Sequence, residues 1–78
     1  MPTRAYILIE TTVGQTGNVA DALRAIPEVV RVDTVTGPYD VIAIAETADL
    51  PGIGSLIGDD MHSIPGISKT VSCLGISS

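Results

Sequence analysis

A single cysteine, a single histidine and no tryptophan or phenylalanine deny this sequence most of the usual ways of bracing a small domain. One Cys excludes an internal disulfide, and one Cys with one His cannot build a structural zinc site. Positive charge is scarce as well: four Lys plus Arg stand against nine Asp plus Glu, a net charge of -5. That leaves too few cations to neutralise a run of phosphates. Two tyrosines, the whole aromatic content, give bases no stacking platform, so direct nucleic-acid binding is not expected. Long apolar runs are missing too. The apolar part of MPTRAYILIE is far shorter than a membrane span and no small-residue cleavage site follows it. No membrane helix or signal peptide is therefore expected, and the cytoplasm is the expected location.

What is present is apolar bulk in a short chain, 45% hydrophobic over 78 residues. A chain of this size makes one domain, here residues 1–78, and buries only about 60 to 65% of its unfolded surface. With disulfide and metal excluded, association with a second chain is the remaining source of stability.

The apolar pattern changes period along the chain. Arg4 to Thr11 is β-branched and aromatic, with Tyr6 and Leu8 on one face and Ile7 and Ile9 on the other, so it predicts a strand covered on both sides. From Asn18 to Ile26 the spacing of Val19, Ala22, Leu23 and Ile26 is that of one helix stripe, with Asn18 as N-cap, Asp21 at the positive end of the dipole and Pro27 as the stop. Glu28 to Thr36 predicts a more exposed strand carrying Arg31 and Asp33, and Tyr39 to Thr47 a second strongly apolar one. Asp49 opens a segment with Ile53, Leu56, Ile57, Met61 and Ile64 at helical spacing. Gly52, Gly54 and Gly58 each cost it about 1 kcal/mol relative to Ala, so a short or partly irregular helix is expected. Ser68 to Ile76 reads as the last strand.

The order β-α-β-β-α-β has an internal echo. Ile26-Pro27-Glu28-Val29 and Ile64-Pro65-Gly66-Ile67 lie 38 residues apart, each where a helix gives way to a strand, with Arg31 and Lys69 in matching places. Two similar halves of this kind pack as a split β-α-β sandwich, with the first and third strands central and, on this reading, parallel. Right-handed crossovers place both helices on one face of the sheet. The other face, running from Ala5 or Tyr6 through Val41 or Ile42, is also apolar and so is expected to meet a partner, most simply an identical chain.

The strand AYILIE, the helix end LRAIPEV, the corner VTGPYDVIAIAE and the helix exit IPGISKTVS stand in an order and spacing that resemble the effector-binding domain of the leucine-responsive/asparagine regulators, the Lrp/AsnC family, often called the RAM domain. The resemblance covers almost the whole chain. It implies an α+β, ferredoxin-like βαββαβ sandwich with a four-stranded antiparallel sheet and two helices on one face. It further implies dimerisation through the sheet, assembly of four or five dimers into octameric or decameric rings, and a small effector, commonly an amino acid, in clefts between dimers. Full-length members carry an N-terminal helix-turn-helix domain, and this chain begins at the first strand of the effector domain. It therefore looks like a stand-alone effector domain, and DNA recognition is not inherited.

Within that frame, the corner Thr36-Gly37-Pro38-Tyr39-Asp40 is the candidate ligand-binding segment. An amino acid needs an acceptor for its ammonium group and donors for its carboxylate within a few ångströms; Asp40 offers the first, the corner's backbone the second, and Tyr39 a wall. The plainer reading is a turn made by Gly37 and Pro38, with Tyr39 capping the core edge and Asp40 accepting backbone N–H bonds. Both can hold together. Gly14-Gln15-Thr16-Gly17 lacks the Lys-Ser/Thr of a phosphate loop but leads into a helix N-terminus, which makes it the second ligand-facing candidate. His62 reads as a surface residue near a helix end. Cys73 reads as an ordinary small hydrophobe, and no metal site or cofactor is expected.

The leading function is thus an oligomeric small-molecule sensor that modulates transcription or metabolism indirectly. Two alternatives compete with it. One is a small dimeric ferredoxin-like enzyme of monooxygenase or isomerase type, which needs a titratable group in an interior that here reads as Ile, Val, Leu and Ala. The other is an assembly module that joins a full-length regulator in mixed oligomers.

Overall fold

The computed structural model describes residues 2–76. Its elements follow the expected order: β1 (Thr3–Thr11), α1 (Thr16–Arg24), β2 (Val29–Thr34), β3 (Val41–Thr47), α2 (Leu50–Ser55), which continues as a π-helical segment Leu56–Met61, and β4 (Ile67–Leu74). The four strands form one sheet in the order β2-β3-β1-β4. Every neighbouring pair is antiparallel, giving a ferredoxin-like sandwich with β1 and β3 at its centre. The expectation that those two central strands run parallel is corrected. The crossover through α1 makes β1 parallel to β2, and the connection from β2 to β3 reverses the chain. β3, placed between them, must therefore oppose both.

Pairing fixes which residues share a face. Ala5, Ile7 and Ile9 of β1 stand opposite Ala45, Ala43 and Val41 of β3, and all six are fully buried beneath the helices. Val19 and Leu23 of α1, Ile53 of α2, and Leu56 and Met61 of the π-helical segment close over them. Each large side chain so buried contributes about 1.5 to 3 kcal/mol relative to exposure. The two Ile-Pro junctions of the sequence echo occupy equivalent places, with Ile26, Val29, Ile64 and Ile67 packed against the rim of this core.

α1 starts two residues before the expected N-cap Asn18. The Gln15 N–H donates to the Thr12 carbonyl at 3.0 Å, and Gly14 takes φ +82°; this tight turn launches the helix at Thr16. Asn18 then lies inside the first turn, its amide donating to Gln15 Oε1 at 3.1 Å.

α2 is short and irregular for the reason its glycines give. Asp49 caps it by accepting the Gly52 N–H at 2.9 Å, with Pro51 in the first turn. After Ser55 the backbone widens. At 3.6 residues per turn Leu56 and Met61 would point about 140° apart, whereas the wider π-helical turn swings them toward the same side, and both are buried. The chain then re-enters the sheet through Gly66 at φ +99°, where a Cβ would sit 2.7 Å from Gln15 Cβ. Only glycine lets this junction lie against α1.

The face opposite the helices has no cover in the single chain. Tyr6, Leu8, Ile42 and Ile44 run down its middle, with Val71 and Cys73 of β4 paired beside them. Tyr6 is exposed, and Leu8, Ile42 and Ile44 are half-buried. Charge borders the patch: Arg4 pairs with Glu46, and Arg31 with Asp33 at 2.8 Å. The Tyr6 hydroxyl and the Glu46 carboxylate beside it hold the Arg4 guanidinium above the ordinary arginine pKa. The choice the sequence left open is settled: Tyr6 and Ile42 face outward, Ala5 and Val41 inward.

Candidate functional site

β3 begins at Val41, two residues later than expected, so the link from β2 is the six-residue corner Val35 to Asp40. Its ends are tied. The Val35 N–H donates to the Asp40 carbonyl at 2.9 Å, and the Asp40 N–H donates to the Ile9 carbonyl at 2.9 Å. Gly37 takes φ +142°, a conformation side chains disfavour, which is why this position suits glycine. Thr36, Gly37 and Pro38 are exposed at the tip, while Tyr39 and Asp40 are half-buried where the corner meets the sheet.

The Asp40 carboxylate does not cap its own turn. Its Oδ2 accepts the backbone N–H of Thr11 at 2.9 Å and the Thr11 hydroxyl at 3.3 Å, fastening the corner to the last residue of β1. The Thr11 hydroxyl also lies 2.8 Å from that of Thr16, the first residue of α1. Among the described residues Oδ1 has no hydrogen-bond partner. The carboxylate is thus held by one oxygen and open at the other, so it can act as an anchored anion toward a cationic group.

Of the five predicted site residues, Asp40 is fastened to β1, Tyr39 beside it is half-buried, and Thr36, Gly37 and Pro38 remain exposed at the outer tip. The second candidate, Gly14 to Gly17, forms the turn into α1 and supplies Thr16 to the same cluster. Thr11 was missed by sequence reasoning. Its signal lies in the pairing of Ile9 with Val41, which carries β1 past the start of β3 and sets Thr11 beside the corner.

A groove of about 360 Å³ lies toward β4 at the same end of β1, lined by Ile57, Met61, His62, Ile67, Lys69 and Thr70 among others. It joins an apolar floor to two residues that can carry positive charge. A second groove, about 420 Å³, sits at the far end of β3 among Glu28, Glu46, Asp49 and Asp60. His62 is exposed at the end of the π-helical segment, and Cys73 is exposed on the edge strand β4. Among the described residues no group of three or more His, Cys, Asp or Glu could hold a metal ion, and no polar or charged residue is buried. No described helix is long and apolar enough to cross a membrane.

Comparison with known proteins gives this arrangement a context. The family model of the Lrp/AsnC ligand binding domain matches residues 4–78. The HTH-type transcriptional regulator FL11 of Pyrococcus horikoshii is 33% identical over 66 residues, 85% of this chain and 43% of FL11, so the chain spans less than half of that regulator's length. A hypothetical protein of Pyrococcus horikoshii superposes with a TM-score of 0.91 at 32% identity, over 97% of this chain and 92% of that one. A transcriptional regulator from Neisseria meningitidis, solved as a complex with L-Met, superposes with a TM-score of 0.86 at 21% identity, over 96% of this chain and 50% of that one. The last likeness is one of fold.

Proposed function

The chain belongs to the Lrp/AsnC ligand-binding-domain family, and on that premise we propose that residues 1–78 form a single effector-binding regulatory domain whose ligand is an amino acid. The observation that carries this reading is the Asp40 carboxylate, anchored through Oδ2 and open at Oδ1 beside an exposed corner. An ammonium group placed there meets a fixed anion, the backbone of Thr36, Gly37 and Pro38 offers polar groups for the carboxylate, and Tyr39 walls the pair from water. The L-Met held by the Neisseria regulator of like fold supports the choice of ligand class. The domain works as a homodimer joined through the open sheet face, in the cytoplasm, and not as an enzyme. Such dimers assemble further, as octamers or decamers, and bring the corner against a neighbouring dimer.

Thermal-shift measurements with each of the twenty amino acids, run beside light scattering, test this. An amino acid that binds only the native assembly raises stability by about 2.7 kcal/mol at a hundredfold excess over its dissociation constant. At least one should raise Tm in that way; a panel without any shift would refute the ligand class. The same chain should not retard duplex DNA selectively at physiological salt. Three of its four basic residues, Arg4, Arg24 and Arg31, already pair with carboxylates, which leaves little to neutralise phosphates. Tight sequence-selective retardation would overturn that expectation. A role in joining a full-length regulator into mixed oligomers is the second reading, favoured by the uncovered apolar sheet face.

A further inference from the structure

We infer that Thr11, backed by Thr16, is the residue that positions the Asp40 carboxylate, turning Oδ1 outward for an ammonium group; this rests on the amino-acid reading of the corner. The chain of hydroxyls fixes its own direction. A carboxylate oxygen can only accept, so the single Thr11 hydroxyl proton goes to Asp40 Oδ2, 3.3 Å away. With that proton so placed, the contact of 2.8 Å between the Thr11 and Thr16 oxygens, in which either could donate, is taken as a donation from Thr16 to Thr11. Each bond in such a chain polarises the next, so the hydroxyl that meets Asp40 is a better donor than an isolated one.

The backbone N–H of Thr11 reaches the same oxygen at 2.9 Å, so two donors from one residue converge on Oδ2. One donor would leave the Asp40 side chain free to exchange between χ1 rotamers; two hold it in the one that keeps Oδ2 on Thr11. The result is an anion that need not be ordered when a cation arrives, which lowers the entropic cost of binding. The arrangement also links the corner to the start of α1. From there the Thr12 N–H, donating to the Gly66 carbonyl at 2.8 Å, leads to the junction before β4.

Thr11→Val removes the hydroxyl but keeps the β-branched shape and the backbone donor; Thr11→Ser restores the hydroxyl. Three-bond NMR couplings that report the Asp40 χ1 rotamer need no ligand. Wild type and Thr11→Ser should show one rotamer and Thr11→Val an averaged set. Calorimetric titration with whichever of the twenty amino acids stabilises the wild type should show affinity reduced roughly three- to tenfold by Thr11→Val and regained by Thr11→Ser, with melting temperatures nearly level. Unaltered couplings in Thr11→Val overturn the inference whether or not an amino acid binds, as does averaged coupling with wild-type affinity. Asp40→Asn separates the two readings: if it binds as the wild type does, the corner is not the ammonium site, while the couplings still report whether Thr11 holds the carboxylate.

Discussion

Ile42→Asp is expected to reduce the protein's dimer-based assembly to monomers without unfolding them, and Val41→Asp, one residue away, to abolish cooperative folding. The two side chains point to opposite faces of β3. Val41 is fully buried under the helices, opposite Ile9. A carboxylate there has no partner, because no polar or charged residue among those described is buried, and an unpaired buried charge costs several kcal/mol. In a domain whose whole stability is about 5 to 15 kcal/mol, that loss together with the lost packing is enough to unfold it. Ile42 stands on the open face, half-buried in the single chain, between Leu8 and Asp33 in the pairing. An Asp at that point stays hydrated in the monomer and is buried only when a second sheet covers it. Sedimentation velocity should therefore show the wild type as a dimer or a higher assembly of dimers and Ile42→Asp as a monomer, with circular dichroism retaining its sheet and helix signal. A wild-type chain that sediments as a stable monomer at micromolar concentration would refute dimerisation through this face.

The element order was legible because the apolar period changes from two to 3.6 and back, and because Pro27 and Pro65 punctuate matching helix exits. The sheet face was not. With Ile7, Leu8 and Ile9 all apolar, alternation fits equally well in either frame, and only the pairing of Ile9 with Val41 fixes it. The irregularity between Val29 and Arg31 also leaves no mark in the sequence, since a bulge depends on the partner strand. At the corner, residue types pointed to Tyr39 and Asp40, yet the groups that orient Asp40 lie far off along the chain. Thr11 is 29 residues away, and nothing local to GPYD names it. The groove beside β4 was likewise hidden, because it needs the π-helical widening at Leu56 to Met61 that brings Ile57 and Met61 over Ile67.

Asp40→Asn should leave Tm nearly unchanged and weaken amino-acid binding by roughly 1.5 to 3 kcal/mol, the range for a lost hydrogen bond to a charged group. On the proposed site the two effects separate. Stability depends on Oδ2, which accepts from the backbone N–H and hydroxyl of Thr11. The amide oxygen of Asn can occupy the same place and accept the same two bonds, losing only their charge-assisted part, and the half-buried site lets water serve the remainder. Binding depends on the other position. There Asn presents an NH₂ group, a donor, where Asp presents an open carboxylate oxygen, so an arriving ammonium group loses its acceptor and meets a like partial charge. If Tyr39 walls the pair from water as proposed, the difference grows, because a lower local dielectric strengthens whatever interaction is made, attractive in one protein and repulsive in the other. Calorimetric titration of both proteins, with the amino acid that most raises the wild-type Tm, measures the first effect, and thermal unfolding without ligand the second. Equal affinities would reduce Asp40 to a fastener between the corner and β1, while a large fall in Tm would show that the negative charge itself holds Thr11 in place.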